Sequence, residues 1–381
     1  MQLACPSGRR ATCDLDMLYY LSLLRVEFFG FNVFSYITFR SGAAAVTAFL
    51  ISLLFGSRII EKLIAAGMVN KPKVWGPKSH ELKTGIAVGG GVLILVALLL
   101  SIFLWARPTN RFVILSEILL IAFGALGFVD DHHKITQKRV TGVSEGISST
   151  LKFTLQVLFA FVIAFYFTVD PPNSGFITTV NVPYMKETYI HLGGFYFFLL
   201  MLGFVGFANS VNLADGLDGL AIGNLVIAAG GLIVFVYVAG HAKFSQYLKI
   251  IPVTDAGELA IVLAALIGAG IGFLWFNGYP AQVFMGDTGS LPLGALLAFV
   301  TVATKQELLL PIIGGVFIAE ALSVVLQISF FKFTKGRRIF RMAPLHHHFE
   351  LAGVAEPKVT VRFWIAGIVL VLIALASLKV R

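Results

Sequence analysis

Long apolar stretches alternate with short polar ones along almost the whole chain. The hydrocarbon core of a bilayer needs about 20 apolar residues for each helix that crosses it. The alternation therefore predicts an all-α integral membrane protein with ten transmembrane helices. We place them at residues 41–60, 85–106, 112–130, 153–169, 195–211, 220–239, 259–276, 291–304, 309–331 and 361–378.

The segments outside these spans are too short to fold as a separate globular domain. Residues 1–16 are polar and irregular, and we interpret them as an N-terminal extension of a single polytopic domain at 17–381. Residues 17–39 are apolar and aromatic but carry Arg25 and Glu27, which favours an interfacial helix over a span. The alternation from Phe176 to Val182 predicts a short hairpin.

Composition and charge support this picture and add an orientation. The chain is 57% hydrophobic and only 13% charged, which excludes an ordinary soluble protein. Its formal charge of +9 could indicate a nucleic-acid partner in a soluble protein. Here the Lys and Arg residues concentrate in loops on one side, at 57–84, 130–152 and 332–362. We therefore expect those loops to be cytoplasmic, both termini to lie outside, and no nucleic acid to bind.

One polar stretch interrupts the apolar pattern between the fifth and sixth spans. Asn209, Asn212, Asp215 and Asp218 recur at every third position of residues 209–221. A step of three turns a helix by about 300°, so these side chains would not form one stripe. The adjoining glycines allow the backbone to break here. Carboxylates at a membrane boundary are costly to keep there, so the stretch indicates a functional site more than a polar turn.

Acidic residues also end the third and seventh spans on the same predicted face. Together with Asp215 and Asp218, the residues Asp130, Asp131 and Asp287 would form an acidic cluster ringed by basic loops. Carboxylates in that setting suit Mg²⁺, which takes one or two protein oxygens and leaves positions for phosphate. Basic side chains suit the remaining phosphate oxygens. The combination favours transfer of a phosphoryl-linked group at the cytoplasmic face.

Three other features could serve the same site. His346, His347 and His348 are adjacent, and neighbours on a helix point about 100° apart, so hydrogen bonding to phosphate or sugar is favoured over a shared zinc ion. Phe284 could stack on a nucleobase or pack against lipid. Gln327 is expected to make an interhelical hydrogen bond.

Three segments resemble the polyprenyl-phosphate N-acetylhexosamine-1-phosphate transferase family. They are NSVNLADGLDGLA at 209–221, PAQVFMGDTGSL at 280–291 and APLHHHFE at 343–350. The resemblance extends over residues 17–381, and the triple-His segment is similar to the muramoyl-pentapeptide branch. It implies a multi-pass protein of the bacterial cytoplasmic (inner) membrane, usually a homodimer. The implied reaction is Mg²⁺-dependent transfer of phospho-N-acetylmuramoyl-pentapeptide from its UDP carrier to undecaprenyl phosphate, giving lipid I and UMP for peptidoglycan synthesis.

The resemblance also implies roles for individual residues. Asp287 and Asp131 would bind Mg²⁺, and Asp130 would be the base that keeps the lipid phosphate nucleophilic. Lys134 would meet phosphate, and the three histidines would meet the donor substrate. The nucleotide pocket would be shaped by Lys83, Asn212, Asp215, Asp218, Asn277 and Phe284.

The chain departs from the family at Ala214, where Thr is common, in the 132–152 loop, which is longer than usual, and at one turn. The usual Thr-Pro-Thr-Met-Gly-Gly is replaced by Ile86-Ala-Val-Gly-Gly-Gly91, which removes two hydroxyls. Two alternatives stay open. One is a sibling enzyme that uses UDP-N-acetylglucosamine, against which the triple-His segment argues. The other is a transporter, which would more often place its acids at the bilayer midplane and show internal repeats.

Overall fold

The computed structural model describes residues 18, 19, 21, 29–70, 85–141, 146–185 and 187–380. The predicted extension at 1–16 and Lys83 lie outside these ranges. Within them the chain is mostly helical. The helices are α1 (Ile37–Ala65), α2 (Gly91–Trp105), α3 (Arg111–Thr141), α4 (Ser149–Val169), α5 (Phe195–Ala214), α6 (Leu220–Ala239), α7 (Ala242–Tyr247), α8 (Leu259–Asn277), α9 (Asp287–Ala303), α10 (Leu310–Ile313), α11 (Gly315–Phe333), α12 (Leu345–Leu351) and α13 (Glu356–Val380).

Eight helices in the described part of the chain are long and apolar enough to cross a membrane. Two further apolar helices, α2 and α9, are shorter than 18 residues. Each predicted span coincides with one of these helices, and the boundaries of α6 match the prediction. The chain is therefore an all-α, multi-pass membrane protein.

Helix α9 lies at the centre of the helix bundle, and every one of its residues is buried. Neighbouring helices approach its backbone closely at small residues. A Cβ atom added to Gly127 of α3 would lie 2.2 Å from the carbonyl oxygen of Asp287, and one added to Gly294 of α9 would lie 2.8 Å from the Cα of Ala208 in α5. Because protein surrounds α9, Asp287 at its first turn is held inside the bundle.

Two glycines of α8 allow close contact with α1. Added Cβ atoms on Gly268 and Gly272 would lie 1.9 Å from the carbonyl oxygen of Ala45 and 2.5 Å from Cβ of Ser52, both in α1. Small residues permit this close helix contact in membranes.

Two helical predictions are corrected by the structure. Residues 132–141 continue α3 and do not belong to a loop, because the run from His132 to Thr141 contains neither Gly nor Pro.

The predicted interfacial helix at 17–39 is wrong in its last part, since Phe29–Ser35 form a 3-10 helix and Ile37 already begins α1. Residues 17, 20 and 22–28 lie outside the described part of the chain.

In the part of the chain that the structure describes, two short β-ladders form between segments that join helices. Strand β1 (Ala87–Val88) pairs in parallel with β4 (Val283–Phe284), and this ladder lies beside the acidic end of the bundle. Strands β2 (Thr179–Asn181) and β3 (Tyr189–His191) pair antiparallel. The predicted hairpin therefore exists, but its second strand lies beyond residue 182, because a longer loop separates the two strands.

Gln327 does not bridge two helices as predicted. Its side-chain oxygen accepts hydrogen bonds from the backbone nitrogens of Ile339 and Phe340, each at 3.0 Å. Its amide nitrogen donates to the carbonyl oxygen of Phe340 at 3.2 Å. Gln327 thus holds the segment that leads from α11 to α12.

Candidate active site

Three carboxylates from α3 and α9 converge at one end of the bundle. Asp130, Asp131 and Asp287 are 2%, 2% and 6% exposed. One oxygen from each lies within 4.8 Å of the others, a spacing at which they could hold one metal ion. We call this group the Asp cluster. The sequence-based prediction that the ends of these spans come together is confirmed for these three residues.

Asp131 fixes the start of α9. Its oxygens accept hydrogen bonds from the backbone nitrogens of Asp287 (3.2 Å) and Thr288 (2.9 Å) and from the Thr288 hydroxyl (2.7 Å). The first backbone N–H groups of a helix lack helical partners and favour a negative charge. Asp131 therefore satisfies these donors and sets the position from which the Asp287 side chain extends.

Gly286 makes this arrangement possible. Its φ is 72°, in the left-handed region that favours glycine. An added Cβ there would lie 2.6 Å from Oδ2 of Asp131. Any larger residue would be strained and would push Asp131 away from the start of α9.

Two lysines neutralise part of the cluster. Lys134 Nζ lies 2.6 Å from Oδ2 of Asp130 and 2.9 Å from Oδ2 of Asp287. Lys152 of α4 contacts the same Asp287 oxygen and lies 3.4 Å from Oδ2 of Asp130. Among the described residues, three carboxylates face two ammonium groups, an excess of negative charge that suits a divalent cation.

Asp130 and Asp287 have further partners that orient them. The backbone nitrogen of Ile147 donates to Oδ1 of Asp130 at 3.0 Å. The side-chain amide of Asn212 donates to Oδ1 of Asp287 at 2.6 Å and to the Ser290 hydroxyl at 2.8 Å. The predicted site residues Lys134 and Asn212 therefore both reach the Asp cluster.

The turn between α5 and α6 carries the next two predicted acids. Asp215 Oδ2 accepts a hydrogen bond from the backbone nitrogen of Gly286 at 3.1 Å. Burial raises the pKa of Asp215 to about 7, and the negative charges of Asp287 and Asp131 act in the same direction, whereas the Gly286 hydrogen bond opposes them. Asp215 thus borders the cluster without contributing an oxygen to it.

Asp218 and Asn277 hold the backbone around the site. Asp218 Oδ2 accepts from the backbone nitrogen of Ala281 at 3.0 Å. Asn277 Oδ1 accepts from the backbone nitrogen of Gly219 at 3.1 Å, and its amide donates to the carbonyl oxygen of Val283 at 2.8 Å. Both side chains are buried, so they link the 215–219 turn to the segment that leads into β4.

Phe284 lies on β4, beside the turn in which the chain departs from the family. Its backbone oxygen accepts a hydrogen bond from Gly90 at 2.8 Å, and Phe284 pairs with Val88 in the β1–β4 ladder. The replaced residues at 86–91 therefore still form an ordered turn against β4. The Phe284 side chain is half-buried.

The three histidines lie on the short helix α12 and point to different partners. Nδ1 of His346 lies 3.2 Å from Glu320, Nδ1 of His347 lies 2.7 Å from Glu350, and Nδ1 of His348 accepts from the backbone nitrogen of Arg341 at 3.1 Å. His346 is buried, whereas His347 and His348 are half-buried. This geometry agrees with the expectation that the rings do not share one ligand.

Comparison with known proteins identifies the family. Residues 111–305 match the model of glycosyl transferase family 4. The phospho-N-acetylmuramoyl-pentapeptide-transferase of Endomicrobium trichonymphae is 47% identical over 366 residues, which cover 96% of this chain and all of the relative. Those of Citrifermentans bemidjiense and Geobacter sp. strain M21 are 48% and 47% identical over the same shares. The chain belongs to the phospho-N-acetylmuramoyl-pentapeptide-transferase family.

The resemblance of the three sequence segments is thus confirmed at the level of the family. The segment 209–221 contacts the other two: Asn212 and Asp215 bond to Asp287 and Gly286 of 280–291, and Gly216 lies against His346 of 343–350. Lys83 is the one predicted site residue on which the structure gives no information, because it lies outside the described residues.

Sequence reasoning missed Lys152. It was counted only among the basic residues of the loop before the fourth span, yet it contacts two of the three cluster carboxylates. Helix α4 begins at Ser149 and not at 153, which places Lys152 in its first turn, facing α3 and α9. The available signal was a lysine at the boundary of a span on the same face as the acids.

Proposed function

We propose that this protein transfers phospho-N-acetylmuramoyl-pentapeptide from its UDP carrier to undecaprenyl phosphate, giving UMP and lipid I. The observation that carries the proposal is the Asp cluster with Lys134 and Lys152 against it, in a chain that matches enzymes of that name over their full length. A nucleotide-sugar donor and a lipid-phosphate acceptor both present phosphates. Phosphoryl-type transfer relies mainly on positioning and charge neutralisation, which such a site supplies.

Mg²⁺ fits the residues present. Carboxylate oxygens are the ligands it prefers, and the three aspartates offer oxygens within 4.8 Å of one another. We assign Asp287 and Asp131 as the ligands. Within the ranges that the structure describes, Oδ1 of Asp131 accepts one hydrogen bond, which leaves acceptor capacity there. The bound ion would neutralise charge on the transferring phosphate.

The protein's own residues supply the rest of the chemistry. Asp130 would accept the proton of the lipid phosphate, so that a phosphate oxygen attacks the sugar-bearing phosphorus while UMP leaves. Lys134 and Lys152 would contact phosphate oxygens, as charge-assisted hydrogen bonds to ammonium groups are strong. Asn212 would keep Asp287 oriented through its 2.6 Å hydrogen bond.

The donor would lie over the neighbouring turns. Asp215 and Phe284 border the cluster on one side and would contact the nucleotide, with Phe284 stacking on the uracil ring. Asp218 and Asn277 would shape that pocket through the backbone they hold, and Lys83 would meet the nucleotide phosphates. His347 and His348 of α12 would meet the donor at its sugar side, next to the buried His346.

The finer topology also belongs to this proposal. We propose ten spans, made by the eight long helices together with α2 and α9, in the bacterial cytoplasmic membrane. Both termini would lie outside, and the Asp cluster would face the cytoplasm, where the nucleotide donor is made. We further propose a homodimer, which light scattering of the detergent-purified protein would test through its protein mass.

The reaction is tested by UMP release from purified protein with undecaprenyl phosphate and Mg²⁺. UDP-N-acetylmuramoyl-pentapeptide and UDP-N-acetylglucosamine are compared in parallel. Release with the muramoyl donor alone is the expected result. Release with the other donor alone would keep the chemistry and overturn the assignment of the triple-His segment. No release with either, from folded protein, would contradict the proposed function.

A further inference from the structure

A buried acid–histidine pair joins α11 to α12 beside the Asp cluster. Glu320 is 0% exposed and His346 is 1% exposed. Oε1 of Glu320 accepts a hydrogen bond from the backbone nitrogen of His346 at 3.2 Å, and its Oε2 lies 3.2 Å from Nδ1 of the same residue. One carboxylate therefore binds both the backbone and the side chain of the second residue of α12.

This contact bears on which ring nitrogen of His346 carries a proton. The backbone nitrogen of His346 can only donate, so Oε1 of Glu320 is an acceptor, and an ionised Glu320 would also accept from Nδ1 of His346. A carboxylate within a membrane helix is costly unless it has partners of this kind. The two hydrogen bonds thus stabilise Glu320, and in return they fix the position of α12 relative to α11.

The opposite edge of the His346 ring lies against the turn that carries the acids. A Cβ atom added to Gly216 would lie 2.2 Å from Nε2 of His346 and 2.8 Å from its Cε1. Within the described part of the chain, Nε2 is buried and has no hydrogen-bond partner. The ring therefore fills the space that Gly216 leaves open, directly after Asp215.

We propose that Glu320 is a positioning residue for the transfer reaction, which acts by seating α12 on the 215–219 turn through His346. The proposal rests on the proposed function. Glu320 contacts His346 and not the Asp cluster, so its effect reaches the substrate through two neighbours. One is Asp215 on the turn, and the other is His347, the next residue of α12.

The first test separates the donor from the acceptor. Glu320→Ala leaves two buried donors of His346 without a partner and shifts α12. We expect kcat/KM for the UDP donor to fall by about 10- to 100-fold, while KM for undecaprenyl phosphate stays within about threefold. Glu320→Gln keeps an acceptor oxygen and should recover most of the loss. Ser323→Ala is the matched control and should leave both constants unchanged. Ser323 is buried one turn along α11, and its hydroxyl donates to the backbone oxygen of Glu320.

The second test is a double-mutant cycle across the contact. Gly216→Ala introduces the clash with Nε2 and should lower donor kcat/KM by about 100-fold. In protein that already carries His346→Ala, the same Gly216→Ala change should cost less than about threefold, because the ring it collides with is gone. Equal costs in both backgrounds would overturn the proposed contact.

The third test needs no turnover. Hydrogen–deuterium exchange at residues 345–351 and 215–219 should be faster in Glu320→Ala than in the unmodified protein. Unchanged exchange, or faster exchange with unchanged donor kcat/KM, would overturn the positioning role. Failure of the proposed function is distinguishable, because it would appear as absence of UMP release from the unmodified protein.

Discussion

Two buried charged groups lie at opposite ends of the bundle and differ in their balance. At the start of α8, Arg40 and Glu258 form a two-pronged pair at 2.6 and 2.8 Å, and the backbone nitrogen of Arg107 donates to the same carboxylate at 3.0 Å. There one cation meets one anion. Beyond the other end of α8, the Asp cluster sets three carboxylates against two lysines.

The difference distinguishes a structural pair from a candidate site. The Arg40–Glu258 pair is balanced in charge, and its planar guanidinium matches the carboxylate and joins α1 to α8. Within the described residues, the Asp cluster shares its oxygens among several partners and has three carboxylates for two ammonium groups. A buried cluster whose negative charge is not matched by cations of the same protein is suited to bind a cation from solution.

The largest effect on turnover is expected for Asp287→Asn. This change removes the charge that Lys134, Lys152 and Asn212 all contact, and it weakens the proposed metal site. We expect UMP release to fall by about 1000-fold or more, because electrostatic groups of this kind dominate such transfers. Thermal unfolding in detergent should show that the variant is folded. A near-normal rate would contradict the assigned metal role.

The next effect concerns Lys152, whose loss should raise the affinity of the cluster for Mg²⁺ while it lowers kcat. In Lys152→Met, the cluster loses a positive neighbour and should bind Mg²⁺ at a lower half-saturating concentration. The loss of a phosphate contact should lower kcat by about 10- to 100-fold. A Mg²⁺ titration of UMP release measures both.

Lys152→Arg is the matched control for this prediction. It keeps the charge, so the Mg²⁺ half-saturation should stay close to that of the unmodified protein. Weaker Mg²⁺ binding in Lys152→Met would show that the lysine supports the cluster mainly as a structural partner.

For the Arg40–Glu258 pair we expect a large loss of stability with little change in turnover. Glu258→Gln leaves the buried charge of Arg40 without its partner, which should lower the free energy of unfolding by roughly 3–5 kcal/mol. Turnover per folded molecule should change by less than about threefold, because the pair lies at the far end of α8. Chemical denaturation and UMP release measure the two quantities. A large drop in turnover of folded protein would remove the distinction between the two regions.

The sequence predicted the elements better than the contacts between them. The bounds of α6 follow from Gly219 and Gly240, which flank a run that is apolar except for Asn224. The end of α3 was placed eleven residues early, because charge was taken as a boundary although His132–Thr141 contain neither Gly nor Pro. Local patterns thus located each span but not how far its helix extends beyond the apolar part.

In the candidate site, too, the sequence indicated the residues but not the contacts between them. The acids were identifiable, since carboxylates at span boundaries are rare. The partners of Asp131 and His346 were not, because they come from residues 156 and 26 positions away that only packing brings near. Lys152 was visible as a basic residue, but its direction depends on where α4 begins.

The smallest effect is expected where the chain departs from the family, at the turn beside β4. Val88 stands where the family has a second threonine, and it pairs with Phe284 in the β1–β4 ladder. Val88→Thr restores a hydroxyl at nearly constant volume, so it should lower KM for the UDP donor by about two- to tenfold, the range of one added hydrogen bond. Val88→Ile, which changes size without adding a donor, should give no such gain. If KM is unchanged in Val88→Thr while kcat and stability are retained, the hydroxyl has no role at this turn, and the ladder alone holds Phe284 beside the Asp cluster.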